Sequence, residues 1–256
     1  MSAVTLDVSP RPGAASTAQM LRAQTGVEFK LLLRNGEQVG LTLVIPLLLT
    51  VFFNLPLLYA IEGRRIDFVV PSILALSVMS AAFTGLAIGT GFERKYGVLK
   101  RLGATAMPRS VLITAKTLAV LALEAVQIVL VGGLGFALGW QPAGDAYWAV
   151  LLVVLGTLAF GGLGLLLAGT VRAEVTLAGA NLIWLVLLFC GGIAIPLTKF
   201  PPAVQDVLQF LPSAALSNGM HDVLQLDRGF PAGPVLILAV WALVAVPAAA
   251  RWFRWE

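Results

Sequence analysis

The stretch GFERKYGVLKRLGATAMPRS, from Gly91 to Ser110, holds five of the 17 lysines and arginines of the chain and lies between two long apolar segments. The whole chain of 256 residues is 59% hydrophobic and only 12% charged, whereas about a quarter of the residues of a soluble domain are charged. This contrast indicates a basic loop between membrane spans. Since the basic residues lie between apolar spans and not on a polar face interleaved with aromatic residues, nucleic acid is not an expected partner.

The apolar segments on either side of this loop belong to a series of six. A bilayer core of about 30 Å requires roughly 20 residues of helix, and helices satisfy their own backbone hydrogen bonds in lipid. Prolines at positions 46, 56 and 247 predict kinks near or inside these helices. The predicted spans are Val39–Ile61, Phe68–Phe92, Ser110–Leu138, Tyr147–Val171, Thr176–Pro196 and Pro234–Trp252. The fold class is therefore all-α membrane protein, with one six-span domain over residues 18–256.

Basic residues accumulate on one side of the predicted spans. That side contains the segment before the first span, the loop of Gly91 to Ser110, Arg172 and the C-terminal arginines, so both termini are predicted to be cytoplasmic. Residues 1–17, rich in Pro, Gly and small polar residues, are predicted to form a disordered cytoplasmic tail. Ala18–Arg34 is predicted to be an amphipathic cytoplasmic helix along the membrane interface; a plain lead-in to the first span is the alternative.

The basic loop itself has a helical pattern. We predict one short amphipathic helix, continuous with the end of the second span and ending near Gly103. One face carries Phe92, Tyr96, Leu99 and Leu102, and the opposite face carries Glu93, Arg94, Lys100 and Arg101, with Lys95 near the apolar arc. Such a helix lies on lipid or docks into a groove of another protein. The periodicity does not choose between these two roles.

Three blocks of the sequence resemble the permease subunits of ABC-2 type exporters. They are EFKLLLRNG before the first span, FERKYGVLKRLGATAMPRSVLITAKTL after the second, and IPLTKFPPAVQDVLQFLPSAALSNGMHDVL after the fifth. The resemblance extends from about Val27 to the end of the chain, and the middle block is its most specific part. The Arg-rich, Lys-poor composition is typical of bacteria with GC-rich genomes, so the bacterial plasma membrane is the expected location.

In that family the loop after the second span is a coupling helix that docks on a separate ATP-hydrolysing subunit. The resemblance implies this role for Phe92–Leu102, with Tyr96 and Leu99 filling the groove of the partner. The expected docking residues are Phe92, Glu93, Arg94, Lys95, Tyr96, Leu99, Lys100, Arg101 and Leu102. ATP and Mg²⁺ are then expected in the partner, with no cofactor bound by this chain, which has no Gly-Lys pair of a Walker A loop.

Polar residues inside the predicted spans are candidates for the translocation pathway. Glu124 lies near the middle of the third span, where a charge is costly unless it is paired or hydrated. Gln127, a second candidate, lies one turn further along, and the third candidate, Asn181, lies in the fifth span. The alternative for Glu124 is an interhelical hydrogen bond from a protonated carboxyl, and for Asn181 it is packing and hydrogen bonding within the fifth span.

About 35 residues separate the fifth and sixth spans, and they are too apolar for an ordinary solvated loop. Two short amphipathic segments, LTKFPPAVQDVLQFLP and SAALSNGMHDVLQL, predict re-entrant helices. The family resemblance implies an extracellular gate there, with Phe200, Phe210, Pro212 and His221 as candidates. His221 is the single histidine, so no His-rich metal site is expected.

The leading hypothesis is the membrane subunit of an ATP-driven exporter. By resemblance, it would pair with a second permease subunit, identical or homologous, and with ATPase subunits. The apolar walls would suit an amphipathic or lipid-like substrate, and the family resemblance allows a drug, a glycolipid or a polysaccharide. A membrane scaffold or assembly subunit without transport is the alternative, and an intramembrane enzyme acting through Glu124 is a third hypothesis. Nucleophile and metalloprotease motifs are missing from the sequence, so the chain is not expected to be an enzyme by itself.

Overall fold

The computed structural model describes residues 13–55, 64–142, 144 and 146–254, with the side chains of residues 37 and 38 outside that description. Within these ranges every regular element is a helix, as predicted. The helices are α1 (Thr17–Arg34), α2 (Gly40–Asn54, preceded by the turn Gly36–Val39), α3 (Arg65–Lys95), α4 (Val98–Gly103), α5 (Arg109–Ala137), α6 (Trp148–Thr170), α7 (Ala173–Cys190), α8 (Pro202–Leu208), α9 (Pro212–Leu224) and α10 (Ala232–Trp252).

Five of these helices, α3, α5, α6, α7 and α10, are long and apolar enough to cross a membrane. They confirm the second to sixth predicted spans within a few residues, except that α7 ends at Cys190 and not at Pro196. Gly191 follows α7, and Gly192 has a left-handed φ of +74° that ends the helical path.

The first predicted span, Val39–Ile61, is matched only in part. Helix α2 ends at Asn54, Leu55 is extended, and residues 56–61 lie outside the described residues, as does Pro56. The described part of α2 is shorter than the five candidate spans. The six-span arrangement therefore stays a prediction, as does the tail over residues 1–17, of which residues 1–12 are also outside the description.

Helix α3 forms the centre of the bundle, since most of its apolar side chains are buried. Small residues bring α6 close to its neighbours on two sides. A Cβ added to Gly162 would lie 2.8 Å from Ala245 of α10, and one added to Gly164 would lie 2.6 Å from the carbonyl oxygen of Phe83 in α3. Gly162 and Gly164 thus fix the distances from α6 to α10 and to α3.

Two helices contain π-helical turns that the sequence did not reveal. One is Gly40–Val44 at the start of α2, just before Pro46, and the other is Ser80–Gly85 in the middle of α3. The second turn lies beside α7, where the indole nitrogen of Trp184 donates a 2.9 Å hydrogen bond to the hydroxyl of Ser80. The remaining predicted kink position, Pro247, lies within α10.

Between α7 and α10 the chain forms a short 3₁₀ turn, Leu197–Lys199, followed by α8 and α9. Both short helices were predicted from their apolar spacing. Helix α9 is largely buried, with Ala214, Leu216 and Met220 inaccessible to solvent, and it packs against α3, α6 and α10. We refer to the end of the bundle that contains Lys95, Arg109 and Arg172 as the basic end, and α8 and α9 lie toward the opposite end.

Candidate functional site

The candidate site begins where α3 ends, at a break in the predicted helix of Phe92–Leu102. Helix α3 continues to Lys95, Tyr96 caps it, and Gly97 adopts a left-handed φ of +71° before α4 begins at Val98. The prediction of one continuous helix was therefore wrong, because Gly97 turns the chain into a separate helix of six residues. The predicted stop at Gly103 is confirmed.

This break and the helix that follows it, which together we call the elbow (residues 95–102), determine which side chains face outward. The Tyr96 side chain is 68% exposed, whereas Leu99 is completely buried in the core. Lys100 and Arg101 are exposed, and Leu102 is half-buried. Leu99 consequently anchors α4 to the bundle, which corrects the expectation that Leu99 fills the groove of a partner.

The other predicted docking residues near the elbow form contacts within the chain. Phe92 is half-buried, and its ring stacks on that of Tyr96 with 6.1 Å between the centroids. The guanidinium of Arg94 donates a hydrogen bond to the carbonyl oxygen of Val171. The ammonium group of Lys95 lies 2.5 Å from the carboxylate of Glu174. The end of α3 is thus fastened to the turn between α6 and α7.

Behind the elbow lies a buried ionic cluster of Lys116, Glu28 and Glu93. The ammonium nitrogen of Lys116, whose side chain is 3% exposed, lies 2.9 Å from Glu28 and 2.7 and 2.8 Å from the two carboxylate oxygens of Glu93. The amide of Gln24 donates a 2.7 Å hydrogen bond to the other oxygen of Glu28. Glu93, expected among the docking residues, therefore faces Lys116, and the cluster joins α1, α3 and α5.

Gln24 and Glu28 were not predicted as members of this cluster. The predicted helix is present as α1, but its most buried side chains are these two polar residues and not the apolar stripe. Gln24 and Glu28 are four residues apart and so share a helix face. A polar pair at that spacing, together with a lysine inside an apolar span, was the available signal.

Glu124 and Gln127 occupy a second buried polar site, in the middle of α5. One carboxylate oxygen of Glu124 accepts a 2.5 Å hydrogen bond from the hydroxyl of Thr157 in α6, and the other has no hydrogen-bond partner among the described residues. The amide of Gln127 donates a 2.6 Å hydrogen bond to the carbonyl oxygen of Thr42, in the π-helical turn of α2. Glu124 is therefore bonded to α6 and Gln127 to α2.

Asn181, the third candidate of the translocation pathway, is separate from this site. It lies on the exposed face of α7, and its amide donates a 2.9 Å hydrogen bond to the carbonyl oxygen of Leu177 on the preceding turn. The same face carries the exposed apolar side chains of Leu182, Val186 and Phe189. Asn181 is thus a polar group on an otherwise apolar outer surface.

The four gate candidates lie along the segment between α7 and α10. Phe200 is half-buried, Phe210 is exposed and its carbonyl oxygen accepts a 2.9 Å hydrogen bond from Trp241, and Pro212 is buried in the first turn of α9. His221 stacks on Phe68 at 4.7 Å between ring centroids. Its Nε2 lies 3.0 Å from the hydroxyl of Ser72, and its Nδ1 lies 2.8 Å from Gln225. Burial lowers the pKa of His221 below its ordinary value.

Comparison with known proteins agrees with this helical, multi-pass arrangement. The family model described as "ABC-2 type transporter" matches residues 21–224, which is most of the chain. The chain is also similar to the "Putative transport permease YvfS" of Bacillus subtilis (strain 168). The two are 26% identical over 215 residues, which cover 80% of this chain and 86% of the relative. With five candidate membrane spans and this match, the chain is a multi-pass membrane protein and belongs to the ABC-2 type transporter family.

Proposed function

We propose that this chain is the membrane subunit of an ATP-driven exporter. ATP and Mg²⁺ would bind in separate ATPase subunits of the ABC type, and a second permease subunit, identical or homologous, would complete the pathway. The family match and the permease relative support a transport role. The basic end would face the cytoplasm of a bacterium, with both termini on that side of the plasma membrane.

The observation that carries this proposal is the elbow at the end of α3. Its exposed side chains, Tyr96, Lys100 and Arg101, form a basic and aromatic surface that suits an ATPase groove. Its buried side chain, Leu99, is part of the core. A force applied to the exposed face would therefore move α4 together with the core residues around Leu99.

The ionic cluster would distribute this motion beyond α4. Glu93 lies on α3 just before the elbow, Lys116 on α5 and Glu28 on α1. Because a buried ion pair is costly to break, these three helices would move as one unit when the ATPase subunits approach each other. The motion would reach Glu124 along α5, two turns beyond Lys116.

The pathway would lie between two permease subunits. The exposed apolar face of α7, with Asn181 in it, has the composition of a helix that packs against another in the membrane, where a polar side chain adds hydrogen bonds across the contact. Glu124 and Gln127 would contact the cargo from α5. Since the walls are apolar, the substrate would be amphipathic or lipid-like, such as a drug, a glycolipid or a polysaccharide carried on a lipid.

Helices α8 and α9 would form the extracellular gate as re-entrant helices. Helix α9 is buried against α3 and fixed to it through His221 and Ser72. Phe210 and Phe200 would close the exit from α8 and its flanks, and Pro212 would set the direction in which α9 begins. A shift of α3 at the basic end would then be transmitted to α9 at the opposite end through the contact between Ser72 and His221.

The test is stimulation of ATPase activity in a reconstituted complex of the chain with its ATPase subunit. We expect Tyr96→Asp with Arg101→Glu to abolish substrate-stimulated ATP hydrolysis, because both side chains are exposed at the elbow. Leu99 is unsuitable for this purpose, since a charge in its buried position would unfold α4. Retained stimulation in the double variant would overturn the assignment of the docking surface.

A matched control is available at the opposite end of the bundle. Tyr147→Asp with Arg228→Glu changes the same residue types, and both side chains are largely exposed. The control variant should keep its ATPase stimulation. If neither wild type nor control recruits an ATPase or moves a substrate, the alternative of a scaffold or assembly subunit is favoured instead.

A further inference from the structure

A hollow of about 460 Å³ opens at the basic end, between the end of α3, the turn from α6 to α7 and the C-terminus. Four cationic side chains line it, and they come from three separate parts of the chain: Arg94 and Lys95, Arg172, and Arg254. Glu174 is the one acidic residue of its described lining. This excess of positive charge is not used by the proposed docking of the elbow, which relies on Tyr96, Lys100 and Arg101.

The single acid does not neutralise these cations. Glu174 pairs with Lys95 at 2.5 Å, and Arg94 is directed to the carbonyl oxygen of Val171 while lying within electrostatic reach of Arg254. No carboxylate of residues 13–55, 64–142 or 146–254 forms an ion pair with Arg172 or Arg254. Like charges held together around a hollow favour a bound anion.

The backbone around the hollow is held in place by close packing. A Cβ added to Gly91 would lie 3.2 Å from Thr176, so α3 and α7 touch beside Arg94 and Arg172. Phe253 is buried against Gly169 near the end of α6, and the amide of Arg254 donates a 3.3 Å hydrogen bond to the carbonyl oxygen of Gly169. The three sources of cations are thus fixed relative to one another.

The position of the hollow in the membrane indicates the kind of anion. Each cation lies at or just beyond the end of a candidate span: Lys95 ends α3, Arg172 separates α6 from α7, and Arg254 follows α10 by two residues. Lipid phosphates lie at this level, where basic pockets between membrane helices bind anionic headgroups. The exposed side chains of Val175 and Trp252 lie on the adjoining helices, where acyl chains and the headgroup boundary would meet them.

We propose that this hollow binds the phosphate group of an anionic phospholipid from the leaflet at the basic end. Arg172 and Arg254 hold the phosphate, and Arg94 and Lys95 form the wall toward α3. The bound lipid joins the end of α3, the start of α7 and the C-terminus next to the elbow. This site is separate from the transported substrate and does not depend on the identity of the ATPase subunit.

The test measures lipid retention by the purified full-length chain without an ATPase subunit, using native mass spectrometry in detergent with phosphatidylglycerol, cardiolipin or phosphatidylcholine. We expect wild type to retain the two anionic lipids over phosphatidylcholine. Arg172→Gln with Arg254→Gln should weaken this preference roughly 10- to 30-fold, since each basic residue near the membrane surface contributes about a three- to sixfold gain in affinity. Both side chains are exposed, so folding is preserved.

Arg22→Gln with Arg109→Gln is the matched control, because it removes the same charge from exposed arginines outside the hollow. It should retain the lipids as wild type does, and Arg172→Lys with Arg254→Lys should restore most of the preference. Equal losses in the control and the test variant would overturn the site, since they indicate general attraction to the surface.

Displacement of the lipid by inorganic phosphate at millimolar concentration would assign the hollow to a soluble anion and so overturn the proposal. In a separate purification of the complex, loss of the ATPase subunit from Arg172→Gln with Arg254→Gln, while lipid retention by the isolated chain is unchanged, would assign the hollow to a protein partner, which also overturns the proposal.

Discussion

Two buried polar sites lie along α5, and they differ in how their charges are compensated. At the basic end, Lys116 lies within 2.9 Å of two carboxylates, and Gln24 supports one of them. In the middle of the helix, Glu124 is 1% exposed and has the hydroxyl of Thr157 as its hydrogen-bond donor. No cation of the described residues pairs with Glu124.

The difference suggests different roles for the two sites. A buried charge surrounded by counter-charges and donors specifies how helices pack, and removing one member leaves the others exposed to an apolar environment. A buried acid with a free oxygen contributes little to packing and is a candidate for contact with a proton or a cargo. The ionic cluster is accordingly structural, and Glu124 remains the better candidate for the transport pathway. The two roles predict different effects of substitution on stability.

The largest effect is expected for Lys116→Met, which keeps the length of the side chain and removes its charge. Glu28 and Glu93 would then face each other without a cation, and we expect the free energy of unfolding to fall by about 3–5 kcal/mol. Unfolding of the purified chain in a denaturing-detergent titration measures this change. The loss should appear first as release of α1, which Lys116 holds through Glu28.

A triple variant provides the control for this prediction. Lys116→Met combined with Glu28→Gln and Glu93→Gln removes the cation and both carboxylates, so no uncompensated charge remains. It should recover most of the lost stability, because a neutral replacement of a buried ion pair is often tolerated. If Lys116→Met alone unfolds as wild type does, the cluster is hydrated in the membrane and the contrast with Glu124 disappears.

The next effect concerns the contact that joins the helices of both sites. Gly164→Ala would place a methyl group 2.6 Å from the carbonyl oxygen of Phe83, which forces α6 away from α3 at a cost of about 1–3 kcal/mol. Gly179→Ala is the matched control, since a Cβ there meets nothing within 4 Å. The control should be neutral or slightly stabilising. Equal stability of the two variants would mean that α6 and α3 are packed less tightly at Gly164 than the 2.6 Å contact requires.

A smaller effect is expected at the elbow. Gly97 has a φ of +71°, and an added Cβ would meet nothing within 4 Å, so Gly97→Ala is strained by its backbone alone, at about 1 kcal/mol. Because Glu93 and Leu99 on either side are anchored in the bundle, the strain should stay local. Increased proteolysis between α3 and α4, with unchanged protection of α1, would show this. Simultaneous release of α1 would indicate that the elbow and the ionic cluster unfold together.

Most of the overall fold could be predicted from the sequence because long apolar runs determine it. Five of the predicted spans are present within a few residues at most of their ends, and the two short helices α8 and α9 were also predicted. The end of α7 at Cys190 was missed because the apolar run continues past Gly191 and Gly192, whose backbone conformation ends the helix. The π-helical turns were missed because they leave the apolar period nearly unchanged.

The candidate site was harder to predict from the sequence, for two physical reasons. An amphipathic pattern shows that Tyr96 and Leu99 share a face only if the helix is continuous, and the left-handed Gly97 separates them into an exposed and a buried residue. The partners of Lys116 come from α1 and α3, and Glu28 is 88 residues away in sequence. Periodicity within one helix carries no information about such a pair.

The smallest change in stability is expected for Glu124→Gln. Glutamine keeps the shape of the side chain and its contact with Thr157, and no described cation loses a partner, so the free energy of unfolding should change by less than about 1 kcal/mol. Transport by the reconstituted complex should nevertheless fall at least tenfold if the carboxylate contacts the cargo. Thr157→Val, which removes the donor to Glu124, should reduce transport less, because the carboxylate itself remains. A destabilisation of Glu124→Gln as large as that of Lys116→Met would contradict the distinction, since it would require a cation beside Glu124. Both sites would then serve to hold the helices together.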